Sequence, residues 1–171
     1  KPAPQKHPRV TFFKAPKSLA PGAKTSDWPH FMGPSRDMKS TETMLLSTFP
    51  KEGPTKVWEL ERGTGYVSPS IVGDTLYYQH RLGNEVFVEC LQASTGKLFW
   101  QHKYPSTYED RYGYSNGPRC TPAIAGDRDV IAGVEGQLFC LNRHTGAVLW
   151  ERDLKKELNI PGGFFGFGAT P

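Results

Sequence analysis

The feature that most constrains this chain is that it repeats. Thr95-Gly96-Lys97-Leu98-Phe99-Trp100 is matched, fifty residues on, by Thr145-Gly146-Ala147-Val148-Leu149-Trp150. Cys90-Leu91 matches Cys140-Leu141 at the same spacing. Ser68-Pro69-Ser70-Ile71-Val72-Gly73-Asp74 matches Thr121-Pro122-Ala123-Ile124-Ala125-Gly126-Asp127 with a spacing of fifty-three. A further copy opens at Ala169-Thr170-Pro171. A period of roughly 40–50 residues is that of propellers and solenoids, where each unit buries its apolar face on the next.

Each repeat reads as short strands. Residues 66–72 are strand-like and Gly73-Asp74 turns. Thr75–His80 is rich in β-formers, Gly83-Asn84 is a hairpin signal, and Glu85–Leu91 alternates faces. Thr95-Gly96 turns again, with glycine free to take positive φ, and residues 97–102 make a fourth strand. Four antiparallel strands in such a length form a propeller blade. The expected fold is all-β, with blades at about 66–103 and 119–153 and the start of a third at 167–171. Trp100 and Trp150 should both be buried. Val57-Trp58 has the form of Phe99-Trp100 without the preceding strands, so Lys56–Glu61 reads as an orphan fourth strand. Its blade would be completed by strands from the far end of a longer chain, which would remove a free sheet edge.

Composition agrees: 18 glycines and 15 prolines among 171 residues disfavour a helical protein. No apolar run approaches the ~20 residues of a spanning helix. The net charge of +4 is local. Residues 1–27 hold six Lys/Arg against one acid, and the rest holds fifteen against sixteen, so a nucleic-acid-binding basic face is disfavoured. Residues 1–26, basic and proline-rich, read as a tether or as a strap near an anionic surface. Residues 27–55 read as an irregular segment that lays Trp28 and Phe31 on a neighbouring core, and 56–171 as the repeats. Lys1 looks like the start of a processed or cut chain, with no signal peptide in it.

The repeat, a small-residue strand followed by Thr-Gly and a strand ending in Trp (Leu91–Trp100 and Leu141–Trp150), resembles the PQQ-like β-propeller repeat family, also called the quinoprotein alcohol dehydrogenase-like superfamily. Trp28-Pro29 with Gly33-Pro34-Ser35-Arg36-Asp37 is similar to the opening signature of secreted bacterial members. The resemblance covers roughly residues 27–171. It implies a closed ring of about seven or eight blades, of which this chain would be a fragment partnered by the remaining blades. It also implies an extracytoplasmic location, in the periplasm or cell envelope.

Candidate chemistry lies in the loops that link one blade's fourth strand to the next blade's first. These are Arg62–Tyr66, Tyr104–Arg119 and Asp153–Gly168. Tyr66, Asp110, Tyr112, Tyr114 and Arg119 are the candidate ligand-binding residues at the channel mouth, since aromatics and arginine suit planar or sugar-like ligands. The opposing expectation is that these side chains merely pack the loops. Trp58, Gly96, Trp100, Gly146 and Trp150 read as structural repeat residues. Glu109-Asp110 offers too few oxygens for calcium, and the five histidines lack metal-ligand spacing, so no metal site and no catalytic residue is assigned. The PQQ dehydrogenases of the superfamily, as the resemblance implies, need an adjacent cysteine pair, a stacking Trp and calcium ligands. Cys90, Cys120 and Cys140 contain no such pair and read as small buried residues. The expected function is a non-catalytic scaffold or binding module of the envelope, like the β-barrel assembly lipoprotein, with a protein or envelope polymer as partner. The alternative is a fragment of a PQQ-dependent oxidoreductase that uses PQQ and calcium.

Overall fold

The computed structural model describes residues 1–160 and 165–171. Part of the third candidate loop, residues 161–164, therefore lies outside the described residues. Ten short strands and one helical turn follow in order: β1 Val10–Phe12, β2 Trp58–Leu60, β3 Ser70–Val72, β4 Thr75–Leu82, β5 Glu85–Gln92, β6 Leu98–Pro105, β7 Ala123–Ala125, β8 Arg128–Ala132, β9 Gln137–Asn142, β10 Val148–Asp153 and α1 Leu154–Glu157. β3–β6 form one four-stranded antiparallel sheet and β7–β10 another, each in simple up-and-down order. These are the two expected blades of a partial β-propeller. The two sheets approach each other closest at their first strands, β3 and β7, and splay apart outward.

The registers are equivalent. Cys90 pairs with Trp100 in blade one, Cys140 with Trp150 in blade two, and each ladder has an irregularity next to that pair. The period-two alternation of β5 and β6 puts Val86, Val88, Cys90, Trp100 and Tyr104 on the face toward blade two. They join Ile124, Ile131, Phe139 and Leu141 in one core between the sheets. Full burial of each large apolar side chain contributes about 1.5–3 kcal/mol. A polar tie crosses the same interface. Gln79 donates to the carbonyls of Cys120 (2.6 Å) and Ala132 (3.2 Å) and accepts from the Tyr104 hydroxyl (3.1 Å).

The first residues depart from the tether reading. Gln5 exchanges two backbone hydrogen bonds with Leu98 at the edge of β6, and β1 pairs with β2 in register Val10↔Leu60 to Phe12↔Trp58. Between them His7 is buried, with Nε2 3.1 Å from Glu89 Oε1. Arg9 and Gln101 donate to the same oxygen, at 3.1 and 2.7 Å, and His80 Nε2 lies 3.4 Å from the other. Arg9 N–H donates to His7 Nδ1 and Gly63 N–H to His80 Nδ1, so both neutral rings carry their proton on Nε2, facing Glu89. Burial disfavours the charge on Glu89, but hydrogen bonds from His7 and His80 outweigh it and hold the carboxyl far below its ordinary range. Basic composition read as a solvated tail; two of its residues, His7 and Arg9, instead serve one buried carboxylate.

β2 departs from its expected pairing. Its strand partner is β1, and its opposite edge has no strand partner among the described residues. Residues 27–29 run across the inner strands. Trp28 exchanges backbone hydrogen bonds with Ile71 of β3, and Ile124 of β7 donates to the Pro29 carbonyl. The Trp28 ring folds over Gly33, whose positive φ and missing Cβ leave it room. Phe31 stays about half exposed, so it does not reach the core as expected. Residues 167–171 form no strand. Phe167 instead covers Gly136, and Ala169 accepts from the Cys120 thiol.

Candidate functional site

The first two linking loops lie side by side, and a buried frame holds them together. Arg81 of β4 supplies it. Its guanidinium donates to the carbonyls of Gly83, Tyr108 and Asn116, and to Asn84 Oδ1. Arg81 and Thr64 exchange backbone hydrogen bonds, which brings the Arg62–Tyr66 loop beside the Tyr108–Arg119 loop. A side chain at Gly117 would collide with the Thr64 carbonyl, so glycine is required for that approach. Nothing in the sequence marked Arg81, because it sits mid-strand where arginine reads as solvent-facing.

Asp110 folds the second loop back on itself. Its carboxylate accepts from Tyr112 N–H (3.1 Å), Ser115 N–H (3.2 Å) and Arg119 (3.1 Å), while its own N–H donates to Asn116 Oδ1 (2.8 Å). The Tyr112 N–H is the foremost of the donors that hold the Asp110 carboxyl below the ordinary range. Arg119 also donates to the Ser115 carbonyl, and its guanidinium lies over the rings of Tyr66 (5.7 Å) and Tyr108 (5.9 Å). The Tyr66 hydroxyl donates to the Tyr114 carbonyl at 3.2 Å. Tyr112 and Tyr114 stand 6.1 Å apart, with Phe165 5.7 Å from Tyr112.

All five candidate residues are thus brought together, in two roles. Asp110 and Arg119 are mostly buried and directed at each other and at loop backbone. Tyr66, Tyr112 and Tyr114 are each more than half exposed. An open cleft of about 740 Å³ runs alongside, lined by Arg62, Gly65, Tyr66, Tyr114 and Asn116 among others. The arrangement offers planar stacking surfaces on a hydrogen-bonded base. The carboxylate expected for any calcium is engaged by three donors, and no group of three or more metal-ligating side chains occurs among the described residues. Cys90, Cys120 and Cys140 are buried free thiols; burial pushes Cys90 up to about 12 and Cys120 up to about 11. They lie on different strands or loops and supply no adjacent pair to floor a quinone.

The structural repeat residues share one contact. Trp58 Nε1 donates to the Ala93 carbonyl at 2.8 Å, and its ring fills the space that a Cβ on Gly96 would take. Trp100 Nε1 donates to the Arg143 carbonyl at 2.8 Å, and its ring covers Gly146 in the same way. Both glycines adopt positive φ, 70° and 75°. Each tryptophan thus docks on the Thr-Gly turn of the following sheet. Trp150 has no such turn to meet and is 43% exposed, against the expectation of burial.

No helix of the described residues is long and apolar enough to cross a membrane. Residues 84–162 match the family model described as outer membrane protein assembly factor BamB. No curated protein gives a match. Among solved structures, BamB from Moraxella catarrhalis is 21% identical with a TM-score of 0.36, over 53% of this chain and 22% of that one. The quinohemoprotein alcohol dehydrogenase of Comamonas testosteroni is 19% identical with a TM-score of 0.42, over 56% and 14%. A europium-containing methanol dehydrogenase is 23% identical with a TM-score of 0.40, over 54% and 16%. The chain therefore matches well under a quarter of each structure's length, and likeness of this degree says nothing of activity. The Thr-Gly…Trp signature, the equivalent registers of the two sheets and the family match over residues 84–162 agree: the chain carries PQQ-like β-propeller repeats.

Proposed function

We propose that the chain is a non-catalytic binding module of the bacterial cell envelope that uses the tyrosine face of its blade-linking loops to hold an extended partner, a protein segment or an envelope polymer. The observation that carries this reading is the division of labour in the site. The charged pair Asp110–Arg119 is spent on the loop itself, and what remains for a partner is a row of exposed rings. Rings fixed from below lose little conformational entropy on binding and stack on sugars or peptide groups alike. The family match to an outer membrane assembly factor supports the envelope setting.

The same reading holds that this chain binds neither PQQ nor calcium with useful affinity. Small ligands gain affinity from burial in a concave site, and the cleft beside Tyr66 is open. Two titrations test the proposal, one with a soluble peptidoglycan digest and one with an unfolded outer-membrane β-strand peptide. Saturable binding to either that weakens in Tyr66→Ala, Tyr112→Ala and Tyr114→Ala supports it. Saturable binding of PQQ with calcium, lost in Tyr112→Ala or Arg119→Ala, would overturn it in favour of the oxidoreductase.

A further inference from the structure

The N-terminal strap meets blade one at a place where two positive charges face each other. Gln5 and Leu98 exchange both backbone hydrogen bonds, at 2.8 Å each. In an antiparallel ladder that exchange sets their neighbours, Lys6 and Lys97, across from one another as a non-hydrogen-bonded pair, the closer of the two kinds. Like charges so placed repel. Neither ammonium has an ion-pair or hydrogen-bond partner among the described residues, whereas His7 and Arg9, next along the strap, are both tied to Glu89. An open cleft of about 650 Å³ adjoins the two lysines, and no aspartate or glutamate lines it. Val10, Phe12 and Gly96 supply its apolar wall. Val10 and Phe12 share one face of β1 by alternation, and Val10 Cγ1 closes on Gly96. The backbone donors of the turn are used internally: Thr95 and Gly96 N–H go to the Gln92 carbonyl and Lys97 N–H to Thr95 Oγ1. What the cleft presents is two unpaired cations beside an apolar wall, with the Phe12 ring about half exposed.

We propose that this cleft is a binding site for an amphipathic phosphate monoester, with the phosphate between the ammonium groups of Lys6 and Lys97 and its alkyl tail along Val10 and Phe12. The charges select the head. A phosphate monoester carries about −1.5 to −2 near neutrality, so it balances two ammonium groups where a carboxylate balances one. Ammonium groups are compact point charges with three donors each, and they meet a phosphate without the fixed fork of arginine. The wall selects the body. Inorganic phosphate would leave Val10 and Phe12 in water, and a neutral amphiphile would leave the two lysines repelling each other. One lysine belongs to the strap and the other to the turn between β5 and β6, so the bound ester also staples the strap to blade one. The cleft shares no residue with the tyrosine face.

The test titrates the whole chain by calorimetry with monomeric octyl phosphate, hexyl phosphate, octanol and inorganic phosphate. The expected result is saturable one-to-one binding of octyl phosphate and none of octanol. Each added CH2 should tighten binding about two- to fourfold. Lys6→Gln and Lys97→Gln should each weaken it about tenfold or more, the worth of a hydrogen bond between charged groups. Melting temperatures separate lost binding from lost folding. Octyl phosphate should raise that of the parent chain. Lys97→Glu should raise that of the free chain, because it turns a repelling pair into an attracting one, while it abolishes binding. Two vesicle arms, phosphatidylcholine alone and equimolar phosphatidylcholine and phosphatidic acid, distinguish the sources of the head. Capture by the acidic vesicles that is lost in Lys97→Gln assigns it to a membrane lipid, and octyl phosphate binding without capture assigns it to a free ester. Octyl phosphate binding no tighter than octanol or inorganic phosphate, indifference to either lysine, or a Lys97→Glu chain that melts no higher would each overturn the proposal. So would capture by acidic vesicles that survives both glutamine changes, which is the diffuse attraction of a basic segment. No variant here touches Tyr66, Tyr112 or Tyr114, so this site and the binding-module reading stand or fall separately.

Discussion

Trp100 and Trp150 stand at the same place in the fourth strand of successive blades, in the same register, yet one is buried and the other is half exposed. The difference lies in what stands next to each sheet. Blade one is covered on both faces, by the N-terminal strap with β1 and β2 on one side and by blade two on the other. Blade two is covered on one face, and every residue of β10 except Asp153 is exposed. Buried acids follow the same division. Glu89 of blade one is met by His7, Arg9, His80 and Gln101, whereas Asp129 of blade two is fully buried with neither oxygen hydrogen-bonded. In a repeat protein, identical local sequence acquires its stability from its neighbours.

The sharpest way to break the comparison is to remove the acid that ties the strap down. Glu89→Ala leaves two histidines and an arginine facing a void. It should cost about 3–5 kcal/mol in denaturant unfolding and expose Lys6 and Arg9 to trypsin. Because the folded Glu89 carboxyl is held below its ordinary range, its contribution is complete above that range and is lost progressively as pH falls below it toward the depressed folded value. Glu89→Gln should flatten that acid limb in a pH series of melting temperatures.

Next in size is the contrast between the tryptophans themselves. Trp100→Ala should cost about 3–5 kcal/mol, the range for emptying a packed aromatic site. Trp150→Ala should change stability by no more than about 1 kcal/mol in the same chain. Equal losses in chemical denaturation would mean that β10 is covered in solution.

Asp129 gives a smaller effect of opposite sign. Burial pushes its carboxyl up to about 8, so the folded state holds its proton longer than the unfolded state does. Stability should therefore fall as pH rises from the ordinary aspartate range to about 8 and level off above it. Leu76 occupies the matching position in blade one. Asp129→Leu should remove the falling limb and raise stability at pH 8 by about 1–3 kcal/mol. An unchanged pH profile would show that Asp129 finds a partner in solution.

The smallest effects should be equal between the blades. Gly73 and Gly126 turn at φ 56° and 55° with open space where a Cβ would stand. Alanine at either should cost about 1–2 kcal/mol through backbone strain alone. A large difference in thermal unfolding between the two would show that the blades are less alike than their registers.

The blades and their turns were legible because each rests on local chemistry. Alternation marks strands, glycine marks turns of positive φ, and aromatic loop residues mark a surface. Boundaries moved by a few residues, since residues 66–69 and 119–122 follow loop backbone before the ladders begin at Ser70 and Ala123. The strap was not legible. Lys6, His7 and Arg9 among prolines have the composition of a solvated tail, and Glu89, the partner of His7 and Arg9, lies 82 residues from His7. Arg81 was missed for a related reason: its acceptors are loop carbonyls, which no sequence pattern labels.

What the sequence determined by itself is the unit: four short strands, a Thr-Gly turn and a fourth-strand tryptophan, repeated in register. Those features depend on φ preferences and on alternation between neighbouring residues, and both travel with the chain. What only the tertiary structure decided is which copies are enclosed. Burial of Trp100, exposure of Trp150, the ion-paired Glu89 and the unpartnered carboxyl of Asp129 all depend on which surface lies across from them. Residues far apart in sequence supply that surface, and packing and desolvation act between whichever groups the fold sets face to face.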